Sequence, residues 1–199
     1  MVKGQSITKA FAEVVTRANA KCIAEIQAND SLVNGAASLI EELHYEYGHL
    51  WEIIATLQTM TETTEDKFKR FPLVWLVEDI QQTTGTQGQY DIARCTVIIA
   101  MSTDYSYKSS QREHYTFEPI LRPVYKALMQ AMADSPFFDV SDAEYIPHTY
   151  IERKFWGREN LTDGSNNTAN TLNDFVDAIE LRNVELIINT NCYNPVNIN

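Results

Sequence analysis

Apolar residues recur at a helical period near the start of the chain. Ile7, Phe11, Val14, Val15, Ala18, Cys22 and Ile26 form one stripe, with Lys9, Glu13, Arg17, Lys21 and Gln27 opposite. The pattern predicts a helix over 6–27 with Ser6 as its N-cap, ended by Asn29-Asp30-Ser31. A helix apolar on one side must lie on something, either its own sheet or a neighbouring subunit. The next stretch, 32–48, is open between helix and strand. Gly35-Ala36-Ala37 breaks the period, while the alternation in His44-Tyr45-Glu46-Tyr47 leans towards strand. Leu50, Ile53, Ile54 and Leu57 return to helical spacing and predict a short helix over 49–60. Thr61–Lys69 is polar and reads as an exposed loop.

Two apolar runs follow, Pro72–Ile80 and Tyr90–Met101, around a polar segment containing Gly85 and Gly88. They predict a long hairpin of buried strands. Leu73, Trp75 and Val77 share one face, and Val74 and Leu76 the other, so the strand should be covered on both sides and central. In the return strand Ala93, Cys95, Val97, Ile99 and Met101 make the drier face. Residues 103–117 are polar, with tyrosines that should be exposed, and read as a loop or entry turn. A second strong helix is predicted over 118–134, with Pro119 and Pro123 in its first turn and Ser135-Pro136 ending it. Ile146–Phe155 alternates weakly and predicts a strand that could lie at a sheet edge. Gly157–Thr171 reads as a long flexible loop. Residues 172–181 are open between helix and strand, Val184–Ile188 predicts the last strand, and the asparagine-rich end reads as an extended tail.

Strands that come in hairpins rather than alternating with helices predict an α+β fold. Its sheet is mainly antiparallel, with a long central hairpin packed with an N-terminal helix and a second long helix. The organisation is a single domain over 1–189, with helix 6–27 and a core over 33–189, followed by the tail 190–199. With 199 residues, the chain can bury roughly 70 % of its unfolded surface, so one full core is expected.

Charge narrows the class of partner. The formal net charge is −11. A grip on phosphate backbones needs a basic patch, and the densest cluster, Lys67-Phe68-Lys69-Arg70, is short. An acidic surface that repels nucleic acid fits instead. No apolar run approaches the ~20 residues of a spanning helix, so no membrane partner is expected. The N-terminus lacks the apolar core of a signal peptide, which predicts a protein made and kept in a cytoplasm. The sequons at Asn160 and Asn166 are then irrelevant.

Candidate chemistry is sparse. Cys22, Cys95 and Cys192 are far apart and read as free thiols. His44 and His49 lie in HYEYGH, which is not H-E-x-x-H, so no metal is expected. Asp163, Ser165 and Asn167 alternate like early calcium-loop ligands but lack the glycine and glutamate such a loop requires. Asp174, Asp177 and Glu180 read as a solvated acidic face on a helix, or Asp177 alone as inward-facing on a strand. Gly85-x-x-Gly88 lacks the rest of a phosphate loop. No catalytic residue and no cofactor is predicted. Tyr105, Tyr107, Tyr115, Tyr150, Trp156 and Tyr193 lie in segments read as loops, edges or tail. Accessible Tyr and Trp favour protein–protein contact, with local packing as the alternative.

Several stretches carry a resemblance when taken in order. They are EYGHLWEI (46–53), FPLVWLVEDI (71–80), IIAMST (98–103), FEPILRPVYKALM (117–129), FWG (155–157) and NTLNDFVDAIELRNVELII (170–188). Together they resemble structural proteins of phages and prophages of Bacteroidetes hosts, including crAss-like phages, over roughly residues 33–189. The order of elements is also similar to the tail-terminator and head–tail joining fold of tailed phages. The resemblance implies a virion protein of the neck or tail-completion class, made in the bacterial host cytoplasm. It implies self-assembly into a cyclic ring of roughly six- or twelvefold symmetry. Portal-side and tail-side virion proteins would be its partners, and DNA would pass through the lumen without sequence-specific binding. A tail-tube or tail-hub component is the alternative within the class. A protein-binding module outside viruses and a small enzyme are the alternatives beyond it. The loops 103–117 and 157–171 and the tail have no counterpart in the resemblance and read either as arms towards neighbouring proteins or as segments that order only on assembly.

Overall fold

The computed structural model describes residues 6–28, 40–60, 70–84, 91–140, 145–156 and 175–188. The loops predicted over 61–69 and 157–171, the Gly85–Gly88 turn, the tail 190–199, Asp174, Cys192 and Tyr193 lie outside them. The described chain forms helix α1 (Ile7–Ala28), strand β1 (His44–Gly48), helix α2 (Leu50–Met60), and the hairpin strands β2 (Leu73–Thr84) and β3 (Asp91–Ser102). A continuous helix, α3, follows: an α-helical turn Ser109–Arg112, a π-helical segment Glu113–Leu121 and an α-helix Arg122–Ala133. Strands β4 (Thr149–Arg153) and β5 (Val176–Ile188) complete the fold.

The strands make one sheet in the order β1-β2-β3-β5-β4. β1 runs parallel to β2, and every other neighbouring pair is antiparallel. This is an α+β fold with a mainly antiparallel sheet. The stretch left open at 32–48 resolves within its described part, since 44–48 is strand. The other open stretch, 172–181, joins the predicted last strand in one element, β5.

Paired residues line up in rows across the sheet. One row is Tyr47, Leu76, Val97, Leu181 and Tyr150, and the next on that face is Tyr45, Val74, Ile99, Ile179 and Glu152. Helices α1 and α3 lie on this face. The Tyr45 hydroxyl donates to Thr8 O of α1 at 2.8 Å, and Arg122 of α3 pairs with Glu152. α1 packs along α3, closed at one end by Lys21–Asp134 at 2.6 Å. Ser6 caps α1 through its backbone carbonyl and hydroxyl. The whole apolar stripe of α1, with Ala10 added, is buried inside its own domain, so that stripe is not offered to a neighbouring subunit.

The opposite face carries the row Glu46, Trp75, Ile98, Glu180 and Ile151. Trp75 is buried there and donates its ring N–H to Gly48 O at 3.2 Å. Gly48 has φ +154, and a Cβ on it would strike the Glu52 carboxylate and press on the Trp75 ring. That close approach lets the chain leave β1 and enter α2, which contacts β2 and buries Ile53 and Leu57. Trp75→Phe keeps most of the apolar contact but strips Gly48 O of its donor. We expect it to lower unfolding free energy by about 1–2 kcal/mol, read from urea midpoints.

Two irregularities flank the middle of β3. β2 shifts register between Val77 and Gln81, and β5 holds Arg182 and Asn183 against the single step Cys95–Val97. Asn183 adopts φ +53, a left-handed conformation that asparagine tolerates well. Past the first shift, β2 is largely exposed from Glu78 to Thr83, so only its first half is the buried strand the apolar run predicts. No helix among the described residues is long and apolar enough to cross a membrane.

The largest departure from the expected elements is the start of α3. Residues 109–117, expected as loop, are helical, and Pro119 lies inside the π segment instead of a first turn. The buried positions there are Arg112, Thr116 and Phe117. Two of the three are polar, so the buried face of this helix carries no apolar period.

Candidate functional site

Three features could carry function: a buried ionic cluster under α3, and the two edges of the sheet.

The cluster is centred on Arg112 and Asp177. Both side chains are fully buried, and Arg112 Nη1 donates to Asp177 Oδ1 at 2.8 Å. The other guanidinium nitrogens donate to Tyr107 O at 3.1 Å and Asp104 O at 2.8 Å. The Phe155 ring stacks on the guanidinium, 3.7 Å from its carbon to the ring centroid. Phe155 itself is held at φ +58, and its backbone N–H donates to Asp177 Oδ1 at 3.3 Å. The pair therefore ties four segments together: the 104–107 turn, the start of α3, the exit of β4 and the start of β5. Each of Arg112's three nitrogens donates to an acceptor inside the protein, which makes this a structural clasp, while Asp177 Oδ2 is buried without a hydrogen-bond partner among the described residues.

A second buried acid lies on the other face. Glu180 accepts from the Trp156 ring N–H at 2.8 Å and from Arg182 at 2.9 and 2.6 Å, with Arg153 at 3.7 Å. Asp177 thus sits inward on a strand, one of the two readings open for it, and Glu180 is also buried and paired, so the solvated acidic face does not form.

One edge of the sheet is β4. Over its helix-bearing face, Arg122 grips Glu152 through two nitrogens, at 2.9 and 3.3 Å, and holds Glu113 at 2.6 Å. Tyr150 donates to Glu152 at 2.6 Å and stands edge-on to Tyr125. Next to it, a shallow cavity of about 420 Å³ is lined by Tyr125, Met129, Tyr145, Ile146 and His148, with Lys126 at its side. His148 is fixed in one tautomer. Its Nδ1 faces the Ile146 carbonyl at 2.6 Å and must carry the proton, so Nε2 accepts the Tyr125 hydroxyl at 3.0 Å.

Burial raises the Glu152 carboxyl, but the hydrogen bonds from Arg122 and Tyr150 and the charges of Arg122 and Lys154 outweigh that. Together they hold it below the ordinary carboxylate range. A carboxyl lowered on folding contributes stability above its unfolded value and loses it as pH falls through the folded one. Glu152→Gln should therefore cost less than about 1 kcal/mol near neutral pH, since the group is partly exposed. The difference from wild type should vanish in acid, as urea midpoints taken down to about pH 2 would show. A difference that persists in acid would mean that Glu152 acts through packing instead of charge.

The other edge is β1. At its end and in the first turn of α2 three large hydrophobic side chains are exposed: Trp51 is 64 % exposed, Tyr47 53 % and Leu50 50 %. No described strand pairs with the outer side of β1 or of β4. Sequence reasoning passed over this cluster because Leu50 sits in the apolar pattern of α2 and Tyr47 in that of β1. Periodicity cannot show that the outer side of an edge stays uncovered.

The residues singled out for protein contact fall into different places. Tyr105 is well exposed, with its ring near Phe175. Tyr107 and Tyr115 are half-buried against each other, with ring centroids 5.3 Å apart. Tyr150 is partly exposed on the β4 edge. Trp156 is 5 % exposed and bonded to Glu180, so it belongs to the core and not to a contact surface. Tyr193 lies outside the described residues. Cys22 and Cys95 are buried free thiols, raised by burial to about 11 and about 12. Among the described residues no group of three or more His, Cys, Asp or Glu is arranged to hold a metal ion. No protein-family model matches the chain, and no curated protein matches it.

Proposed function

We propose that the protein is a non-enzymatic virion subunit of a crAss-like tailed phage. It assembles as a homo-oligomeric ring at the head–tail junction, joins portal to tail, and surrounds the DNA channel. The observation that carries this reading is a sheet open at both ends, with Tyr47, Leu50 and Trp51 standing in solvent beside one of them. Open edges invite another chain, and large apolar side chains grouped on a surface mark a contact site. The resemblance in the sequence supplies the kind of partner, which is copies of the same subunit and the virion proteins above and below them. The net charge of −11 supports the reading in sign. Repeated round a ring, it makes an acidic body that repels DNA and keeps it mobile in the lumen.

The test is direct. The full-length protein is followed by sedimentation over a range of concentrations and imaged by negative-stain electron microscopy, and the native particle is labelled with an antibody to it. Closed rings and label at the neck are expected. A protein that stays monomeric at every concentration and labels no part of the particle would sink the proposal.

A further inference from the structure

We infer that the ring closes by edge-to-edge sheet pairing, with β4 of one copy lying antiparallel to β1 of the next. This rests on the ring reading above and names its self-contact. Three observations point to it. The first is strand direction. β1 runs with β2 and β5, while β4 runs against them. A neighbour placed by a modest rotation, with its helices on the same side of the sheet, therefore brings its β1 against β4 in antiparallel sense. Both strands are five residues long.

The second is charge. Glu41 and Glu42 precede β1, Glu46 lies in it, and Glu52 and Glu78 flank it. Around β4 stand Arg122, Arg153, Lys154 and Arg182 against Glu113, Glu152 and Glu180, an excess of cation. With Arg70 near the start of β1, that edge has five acids to one cation and is the acidic one, whereas the β4 edge is nearly balanced with an excess of one cation. In the antiparallel arrangement the Arg153–Lys154 end of β4 meets the Glu41–Glu42 end of β1. A two-fold contact between two β1 edges would instead set acids against acids. The complementarity selects a head-to-tail contact, which closes into a ring when the rotation allows.

The third is the apolar surface. Tyr47 and Tyr150 end the same row on the helix-bearing face. The register that continues this row from copy to copy stacks Tyr47 of one subunit on Tyr150 of the next, with Trp51 alongside. Cross-strand aromatic pairs of this kind stabilise sheets.

The experiment uses the full chain and three variants, each checked for folding by circular dichroism and thermal melting. Glu42→Lys and Lys154→Glu each place like charges at the junction and should raise the concentration needed for assembly about tenfold or more. The two together restore the opposite pair and should return assembly towards wild type. Tyr47→Pro should block assembly while leaving the fold. The bonds of β1 to β2 use the alternate residues, beginning with the His44 N–H to Pro72 O, so residue 47 turns its N–H outward. If wild type forms rings and every variant assembles as it does, the edge contact is wrong and the ring reading survives. If Lys154→Glu alone is silent, the contact is a two-fold one through β1, which also overturns the inference. If wild type never assembles, both readings fall.

Discussion

Asp177→Ala is expected to lower the unfolding free energy by about 3–5 kcal/mol, because it leaves a buried guanidinium without its counter-charge. Arg112 has no exposed surface, and its remaining partners are two carbonyls and an aromatic ring. None of these neutralises a full positive charge. Water would have to enter, or Arg112 leave, and either would release Phe155 and the start of α3 together. The doubly apolar variant Arg112→Met/Asp177→Leu should behave differently. Burial pushes the Asp177 carboxyl above its ordinary range, further than Arg112 pulls it down, and taking both charges out of water offsets much of their attraction. The double variant should therefore recover most of what Asp177→Ala loses, and a double-mutant cycle from urea unfolding measures the coupling. A double variant as unstable as the single would show that the clasp contributes by its geometry rather than by charge balance.

Val97→Asp is expected to leave no folded protein. Val97 is fully buried in the middle of β3, between Leu76 and Leu181 on the face that α1 and α3 cover. A carboxylate there is taken out of water among apolar side chains. The cost of several kcal/mol is comparable with the whole stability of a domain this size. Val97→Ala removes carbon without adding charge and should stay folded at a loss of about 1–3 kcal/mol. Far-UV circular dichroism of the soluble fraction separates the two. A folded Val97→Asp protein would mean that the sheet opens to water at its centre.

The two substitutions probe different kinds of glue. Val97 belongs to rows of apolar residues that alternate along each strand, and the same alternation marks it in the sequence. Arg112 and Asp177 are 65 residues apart; read locally, Arg112 looks like surface and Asp177 is open between a solvated face and an inward position. Only the crossing of α3 over β5 makes them a pair. On the opposite face Trp156 and Glu180 bury each other, two residues whose local sequence suggested solvent.

Residue patterning alone determined the elements whose stability comes from apolar faces. The α1 stripe, the α2 spacing, the hairpin and its drier face, and the second half of α3 all follow from periods that a one-dimensional pattern records. The α+β class follows from their order. Tertiary structure decided everything that depends on polar burial or on an edge. The first turns of α3 are helical because Arg112 and Thr116 find buried partners, and no period announces that. The stretch 176–181 is strand because it pairs with β3 and β4 on either side. The parallel pairing of β1 with β2 makes β1 an edge and leaves Tyr47, Leu50 and Trp51 in solvent. The physical reason is common to these cases. A hydrophobic pattern reports which side of an element is dry, whereas partners distant in sequence decide whether a charge can be buried and where a sheet stops.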